Sequence, residues 1–200
     1  MSTISELLER ASLKRTGTVR GSESVPSNSS GVYIVSLSER CEQNDRLFDT
    51  APIDSAAVEQ WLCRIPKMKL DGQEGPSPSD IAKRLGDFWL PDESILYIGK
   101  TGRLLKRRIG EYYRTPLGAR KPHRGGHWIK TLSVLDETFV HYIETPNAGD
   151  TEERLLEAFV SQVSHKSKQH LKDPDRPFPY ASLEYPKGNR KRHGLARQAL

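Results

Sequence analysis

The alternation of apolar and polar positions predicts a chain that passes repeatedly between strands and helices. Short apolar runs rich in β-branched residues predict three strands, at residues 31–37, 94–98 and 138–143. Apolar residues at helical spacing predict helices at residues 2–14, 54–62, 80–89, 104–114, 128–135 and 151–163. A strand, a helical insertion and two further strands with helices between and after them indicate an α+β fold.

Polar residues and prolines predict where these elements begin and end. Ser2, Asp54 and Ser79 precede apolar helical patterns and are the predicted N-caps of three helices. Gly, Ser, Thr and Pro dominate residues 16–30, which predicts a linker, and residues 71–78, which predict a loop. Prolines at positions 174, 177, 179 and 186 predict irregular chain beyond residue 172.

Length and composition add a domain plan. The 200 residues suffice for one well-filled core, so the plan has an N-terminal helix and linker (1–30), a core (31–165) with a helical insertion (41–92), and a basic, proline-containing C-terminal extension (166–200). No apolar run approaches the roughly 20 residues that span a bilayer, and the first residues lack signal-peptide features. We therefore expect a cytoplasmic protein without membrane contact, whose two cysteines are ordinary thiols.

Charge is concentrated on one part of the chain. The formal net charge is +5, but residues 99–130 contain ten Lys or Arg and one acid, whereas residues 41–94 contain six basic and eleven acidic residues. A strongly positive segment is typical of proteins that bind the phosphate backbone of nucleic acid. A surface tail around residues 187–193 is also basic and is expected to be flexible. It either contacts the nucleic-acid backbone nonspecifically or has no role in binding.

Two tyrosine motifs give this charge a chemical context. Gly31-Val32-Tyr33-Ile34-Val35 and Leu96-Tyr97-Ile98-Gly99-Lys100 lie on the first two predicted strands, and the second leads into the basic helix. Together they resemble the two halves of the signature of the GIY-YIG nuclease family. The resemblance implies a small three-stranded antiparallel sheet flanked by helices. It also implies that Tyr33 and Tyr97 activate or orient the attacking water, although strand tyrosines also serve simply as core residues.

The same resemblance points to residues after the second motif. The family carries an arginine on the following helix, with His or Tyr one turn later. Arg108 and Tyr112 are four residues apart and share a helix face, whereas Arg107 fits the usual distance from Gly99 but would pair with Glu111. Arg108 is therefore preferred over Arg107 for binding the phosphate. Lys100 is expected either to assist a phenol or phosphate, or to be an ordinary surface lysine.

A carboxylate for one divalent cation completes the implied site. Glu157 on the last core helix best matches the family pattern, with Glu153 as the second choice and Glu152 interpreted as a solvated first-turn acid. Magnesium or manganese is the expected metal. The expected nucleic-acid contacts come from the basic segment: Arg103, Lys106, Arg107, Arg114, Arg120, Lys121 and Arg124.

These features favour a metal-dependent endonuclease that cuts DNA, as a type II restriction-like enzyme or a repair nuclease. One departure supports an alternative: the family's downstream Asn is replaced by Gln169, and the next Asn is Asn189. This favours a nucleic-acid-binding module with weak or no cleavage. A third hypothesis is an interaction protein that acts through the acidic insertion and binds no DNA. Small nucleases that cut palindromic sites often work as twofold dimers, so a homodimer is one expected assembly.

Overall fold

A computed structural model describes residues 3–119 and 127–197 as an α+β structure with two antiparallel sheets. Seven strands are present in this part of the chain: β1 Gly17–Arg20, β2 Gly31–Ser36, β3 Met68–Leu70, β4 Gln73–Glu74, β5 Ile95–Thr101, β6 Phe139–Glu144 and β7 Leu195–Arg197. Six α-helices accompany them: α1 Ile4–Arg10, α2 Ser55–Arg64, α3 Pro78–Gly86, α4 Leu105–Arg114, α5 Ala148–Gln162 and α6 His165–His170.

The central sheet has four strands in the order β1-β6-β2-β5, so the prediction of three strands is wrong by one. The additional strand β1 lies within the predicted linker and pairs with β6, placing Val19 opposite Val140. Four residues at a sheet edge give little alternation to detect, and Gly17 begins the strand where the ring of Tyr142 leaves no room for a Cβ. Steric fit, rather than β-propensity, selects this strand.

Every residue of β2 is buried because helices cover both faces of the sheet. Tyr33 and Val35 face a cluster that contains residues of α2, α3 and α4. Val32 and Ile34 face the opposite cluster, which α1 and α5 complete. Strand alternation therefore assigns the tyrosines of β2 and β5 to the α4 side of the sheet.

The insertion contains the predicted helices together with a small sheet. Asp54 caps α2 as predicted, but the cap of α3 is Ser77, with Pro78 as the first helical residue, rather than Ser79. Between these helices, β3 and β4 form a hairpin where a loop was predicted. Its turn is Asp71-Gly72, with positive φ at both residues, which is the geometry that an Asp-Gly pair favours.

Other helix boundaries are corrected by local geometry. The first helix begins after Thr3, which forms a capping box with Glu6, so the predicted cap at Ser2 is wrong. In place of a helix at residues 128–135, two 3-10 turns occur, Trp128–Thr131 and Leu135–Glu137. No helix in residues 3–119 and 127–197 is long and apolar enough to cross a membrane.

The basic C-terminal extension packs against the core, contrary to the prediction of a flexible tail. Strand β7 pairs with β3, and the ammonium group of Lys191, only 4% exposed, donates hydrogen bonds to the carbonyl oxygens of Pro179 and Tyr180. The same ammonium lies 5.7 Å from the ring of Phe88 and 5.5 Å from that of Trp128. A buried lysine with carbonyl and aromatic partners anchors this segment, and burial lowers its pKa to about 7.

Candidate active site

The two signature tyrosines meet on one face of the central sheet. In the antiparallel pairing of β2 with β5, Tyr33 lies opposite Gly99 and Val35 lies opposite Tyr97. Tyr33 and Tyr97 are therefore diagonal neighbours on the same face, and their ring centroids are 5.8 Å apart. The predicted side-by-side placement of the two phenols is confirmed as geometry.

The glycines of both motifs are required by close approach. A Cβ on Gly99 would lie 2.4 Å from the ring of Tyr97, which folds over this residue. A Cβ on Gly31 would lie 2.1 Å from the carbonyl oxygen of Ile143 on the neighbouring strand. Any larger residue at position 99 would displace the Tyr97 ring, so Gly99 determines where that phenol lies.

Helix α4 adds a third tyrosine and an arginine from a single face. The Tyr112 ring stacks on Tyr97 at 5.3 Å and meets Tyr33 edge-on at 6.2 Å. Arg108, one turn earlier, lies close enough to affect the ionisation of all three phenols. The prediction that Arg108 and Tyr112 project together from this helix is confirmed. We refer below to Tyr33, Tyr97 and Tyr112 as the tyrosine cluster.

Burial keeps these phenols protonated at neutral pH. It raises the pKa of Tyr33 and of Tyr112 well above the ordinary value of 10.0, and the neighbouring Tyr97 adds to both shifts. Burial likewise raises the pKa of Tyr97, and the carboxylate of Glu152 contributes, whereas Arg108 acts in the opposite direction. The cluster is therefore equipped to donate and accept hydrogen bonds as neutral phenols.

Two polar atoms at the centre are almost fully shielded from solvent, the Tyr33 hydroxyl and the Nε of Arg108. Neither forms a hydrogen bond of standard geometry within the described part of the chain. The Tyr97 hydroxyl and the Arg108 guanidinium nonetheless lie within hydrogen-bonding reach of the Tyr33 hydroxyl and act on its pKa. The polar groups of this centre therefore face one another, as buried polar groups normally do.

Arg107 occupies the outer face of α4, which separates it from the neighbouring Arg108. Its Nε donates to a carboxylate oxygen of Glu111 at 3.1 Å, and Arg103 donates to the other oxygen at 2.8 Å. The Arg107 side chain is 67% exposed. Although burial acts to raise the pKa of Glu111, the two arginines lower it overall. The predicted preference for Arg108 therefore agrees with its position beside the tyrosine cluster.

Glu152 is half-buried, so its interpretation as a solvated residue is wrong. Its carboxylate accepts a salt bridge from the Nζ of Lys100 at 2.9 Å, and its side chain is only 20% exposed. Burial raises its pKa, while Lys100 and Arg108 act to lower it. Lys100 thus pairs with this carboxylate rather than with a phenol.

Glu157 lies elsewhere on α5, although it was the predicted metal ligand. Its side chain and that of Glu153 are exposed, and both carboxylates act on the pKa of Tyr185. The Glu157 side chain therefore lies on the solvent side of α5, away from the buried Leu155 and Leu156. The helical spacing already indicated which acid lies on the buried face of α5. Glu152 lies four and seven residues before the buried Leu156 and Phe159, so it shares their face of the helix.

The candidate site has one half-buried carboxylate, that of Glu152, which is paired with Lys100. Among residues 3–119 and 127–197, no group of three or more His, Cys, Asp or Glu side chains is arranged to hold a metal ion. One carboxylate is nevertheless an ordinary protein contribution to a magnesium site whose remaining ligands are water and phosphate oxygens. A cation would also offset the burial that raises the pKa of Glu152.

A shallow basic groove of about 360 Å³ runs along the outer side of α4. The loop Gly21–Ser24 forms one wall, and Lys106, Arg107 and Arg114 form the other. These residues and Arg103 are exposed, as expected for contacts to a phosphate backbone. The other predicted nucleic-acid contacts lie outside the described residues: Arg120, Lys121 and Arg124.

Lys130 is a neighbour of the cluster that motif analysis missed. Its Nζ donates to the carbonyl oxygen of Thr115 and lies 5.9 Å from the centroid of the Tyr112 ring. Burial lowers its pKa to about 8. Only the fold brings this lysine to α4, so the sequence holds no spacing signal for it.

Comparison with protein-family models, with curated proteins and with solved structures finds no match for the chain.

Proposed function

We propose that this protein is a metal-dependent endonuclease that hydrolyses phosphodiester bonds in DNA, in the manner of the GIY-YIG family that its tyrosine motifs resemble. One observation carries the proposal. The ring centroids of Tyr33, Tyr97 and Tyr112 lie 5.3 to 6.2 Å apart, and Arg108 lies one turn before Tyr112 on α4. Strands β2 and β5 and helix α4 contribute these groups, so distant parts of the sequence supply one polar centre.

The phenols position the attacking water. Because the pKa of Tyr33 is raised well above 10.0 by burial, its hydroxyl orients water as a neutral hydrogen-bonding group and does not itself act as a base. Tyr97 is partly exposed and lies at the open side of the cluster, where it holds the water in register. Tyr112 supports both rings through its aromatic contacts.

Arg108 and Glu152 balance the negative charge of the phosphate. In-line attack of water on phosphorus places growing charge on the phosphate oxygens, which a permanently charged guanidinium stabilises. Lys100 holds the Glu152 side chain and adds a second positive charge at the edge of the site. Glu152 would bind the divalent cation, in place of Glu157 or Glu153. A bound magnesium ion supplies Lewis-acid stabilisation of the phosphate oxygens.

A second candidate function is a nucleic-acid-binding module without cleavage. The shielding of the Tyr33 hydroxyl and of the Arg108 Nε favours it, because both atoms must meet water or phosphate in a nuclease. The downstream Asn189 also has another role, since its amide binds Arg176 and the carbonyl oxygen of Tyr185. Such a module would use the basic groove along α4 and leave the tyrosine cluster closed.

Supercoiled plasmid separates these candidates. The nuclease converts it to nicked and linear forms with magnesium or manganese, and a chelator stops the conversion. Salt-dependent binding with intact plasmid under all metal conditions identifies the binding module instead. No binding at low salt would contradict both and favour an interaction protein that uses the acidic insertion.

The DNA ends define the type of nuclease. Sequencing of cleaved plasmid gives discrete ends for a restriction-like enzyme and scattered ends for a repair-like or nonspecific one. A homodimer remains a prediction for the restriction-like case, in which light scattering of the DNA complex should give two chains per site.

A further inference from the structure

A cavity of about 610 Å³ is lined by Lys100 and Glu152 of the candidate active site. Glu153 on α5 extends this wall. The opposite wall comes from the C-terminal extension through Tyr185, Lys187 and Arg190. A segment remote in sequence thus encloses the space beside the proposed catalytic carboxylate. We call residues 184–190 the C-terminal turn.

Hydrogen bonds within the C-terminal turn hold its shape. The Glu184 carboxylate accepts from the backbone N–H of Gly188 and from the Nε of Arg190 at 3.1 Å. The side-chain amide of Asn189 donates to the carbonyl oxygen of Tyr185 at 3.0 Å. The guanidinium of Arg176, itself paired with Asp173, donates to the Oδ1 of Asn189. Three side chains therefore fix a turn that contains an exposed glycine and proline.

The C-terminal extension is also attached to the edge strand of the central sheet. The backbone N–H of Ala181 donates to the carbonyl oxygen of Leu96 at 2.8 Å. The backbone N–H of Ile98 donates to the Oγ of Ser182 at 3.2 Å. Leu96 and Ile98 flank Tyr97 on β5. These two hydrogen bonds therefore fix the position of the C-terminal extension relative to the strand that carries the Tyr97 phenol.

Charge divides the cavity into two unlike walls. The α5 wall carries the carboxylates of Asp150, Glu152 and Glu153 beside the ammonium of Lys100, whereas the turn presents Lys187 and Arg190 together with the carboxylate of Glu184. Lys187 is exposed and forms no ion pair within 4.0 Å among the described residues, and the Arg190 side chain is 76% exposed although it pairs with Glu184. A polyanion that reaches Glu152 would therefore pass the two cations of the turn.

We propose that the C-terminal turn is a backbone-binding wall of the substrate cleft, in which Lys187 and Arg190 contact a DNA phosphate next to the one that is cut. This deepens the proposed nuclease function and depends on it. Arginine and lysine at these positions supply the phosphate-side contact for which the chain has no suitably placed Asn. The cleavable phosphate then lies between the acidic α5 wall and the basic turn.

Salt-dependent binding to a short DNA duplex tests the proposal. Fluorescence anisotropy, in chelator so that cleavage cannot interfere, gives the slope of log K against log salt for the wild type and for the double variant K187Q/R190Q. Each lost phosphate contact reduces the slope by about 0.9, so we expect a reduction of about 1.8. The conservative variant K187R/R190K should restore most of the slope.

A matched control removes two equivalent charges elsewhere. Arg40 is also exposed and paired with one carboxylate, that of Asp45, and Lys166 is an exposed lysine on α6. The variant R40Q/K166Q should leave the slope within about 0.3 of wild type, since neither residue lines the cleft. An equal change in the two double variants would show a general effect of net charge and overturn the proposal.

The possible failures are distinguishable. Normal wild-type binding with an unchanged slope in K187Q/R190Q refutes the role of the turn and leaves the proposed function intact. A wild type that binds no duplex refutes both. A fall in melting temperature without a change in slope would show that the two cations serve only the fold of the extension, which also overturns the proposal.

Discussion

The inner and outer sides of the segment from Tyr97 to Arg114 have similar residue types but different environments. On the inner side, Arg108 meets the tyrosine cluster, with its Nε shielded from solvent. On the outer side, Arg107 is 67% exposed and is paired with Glu111. Charge in a desolvated place interacts strongly with its neighbours, whereas exposed charge is screened by water and salt.

The difference shows that the count of basic residues overstates how many participate in chemistry. Glu111 engages Arg103 and Arg107, so a part of the positive charge seen in the sequence is compensated on the helix surface. On the inner side, a single guanidinium, that of Arg108, acts on the pKa of three phenols. The same contrast applies on α5, where Glu152 meets the site and Glu157 meets solvent.

The largest difference is expected between alanine variants of the two neighbouring arginines. Arg108→Ala should reduce plasmid cleavage at least a hundredfold, about 2.7 kcal/mol in activation free energy, because it removes the inner charge that stabilises the phosphate. Arg107→Ala should change the rate less than about fivefold, since its charge is exposed and paired. Initial cleavage rates at saturating magnesium provide the measurement. Equal losses in both variants would break the distinction between the two sides.

The carboxylates of α5 should show the next largest contrast. Glu152→Gln removes the charge beside Arg108 and Lys100 and should lower the cleavage rate about a hundredfold, with a higher magnesium concentration needed for half-maximal rate. Glu157→Gln should leave both quantities within about twofold of wild type. Magnesium titrations of the two variants measure this. The reverse pattern would restore Glu157 as the metal ligand and remove Glu152 from the site.

Alanine substitutions at Gly99 and Gly102 should differ in how much they lower the free energy of unfolding. A Cβ on Gly99 would lie 2.4 Å from the Tyr97 ring, whereas a Cβ on Gly102 would meet no atom within 4 Å. Gly99→Ala should therefore lower the free energy of unfolding by about 1–3 kcal/mol, as overpacked sites do. Gly102→Ala should change it by less than about 0.5 kcal/mol. Urea unfolding followed by tryptophan fluorescence compares them, and a neutral Gly99→Ala would show that the Tyr97 ring moves freely.

The smallest expected effect is on the free energy of unfolding. It comes from Glu111 on the outer side of α4 and depends on pH. Because Arg103 and Arg107 lower the pKa of Glu111 below 4.5, its ionised form stabilises the folded state above that pH, and this contribution is lost as the pH falls through the lowered pKa. Glu111→Gln should cost less than about 1 kcal/mol at pH 7, since solvent screens the pairs. The unfolding free energies of the variant and of the wild type should differ more at pH 7 than at pH 3.

Much of the fold followed from local patterns. The three predicted strands, α2, α4 and α5 all occur, within three residues of their predicted bounds, because apolar periodicity reflects which faces are buried. The edge strand β1 and the hairpin of β3 and β4 were missed. Both are short and take their stability from partners distant in sequence: Phe139–Glu144 for one, and Leu195–Arg197 for the other.

The sequence by itself determined the α+β class, the two tyrosine motifs and the shared face of Arg108 and Tyr112, because strand and helix periods depend only on local spacing. Tertiary structure alone decided that Lys100 pairs with Glu152 and that the C-terminal turn lies across from this carboxylate. Those placements depend on how α5 and the extension pack against β5. Long-range packing is not encoded in the spacing of any single segment, so only the folded chain reveals it.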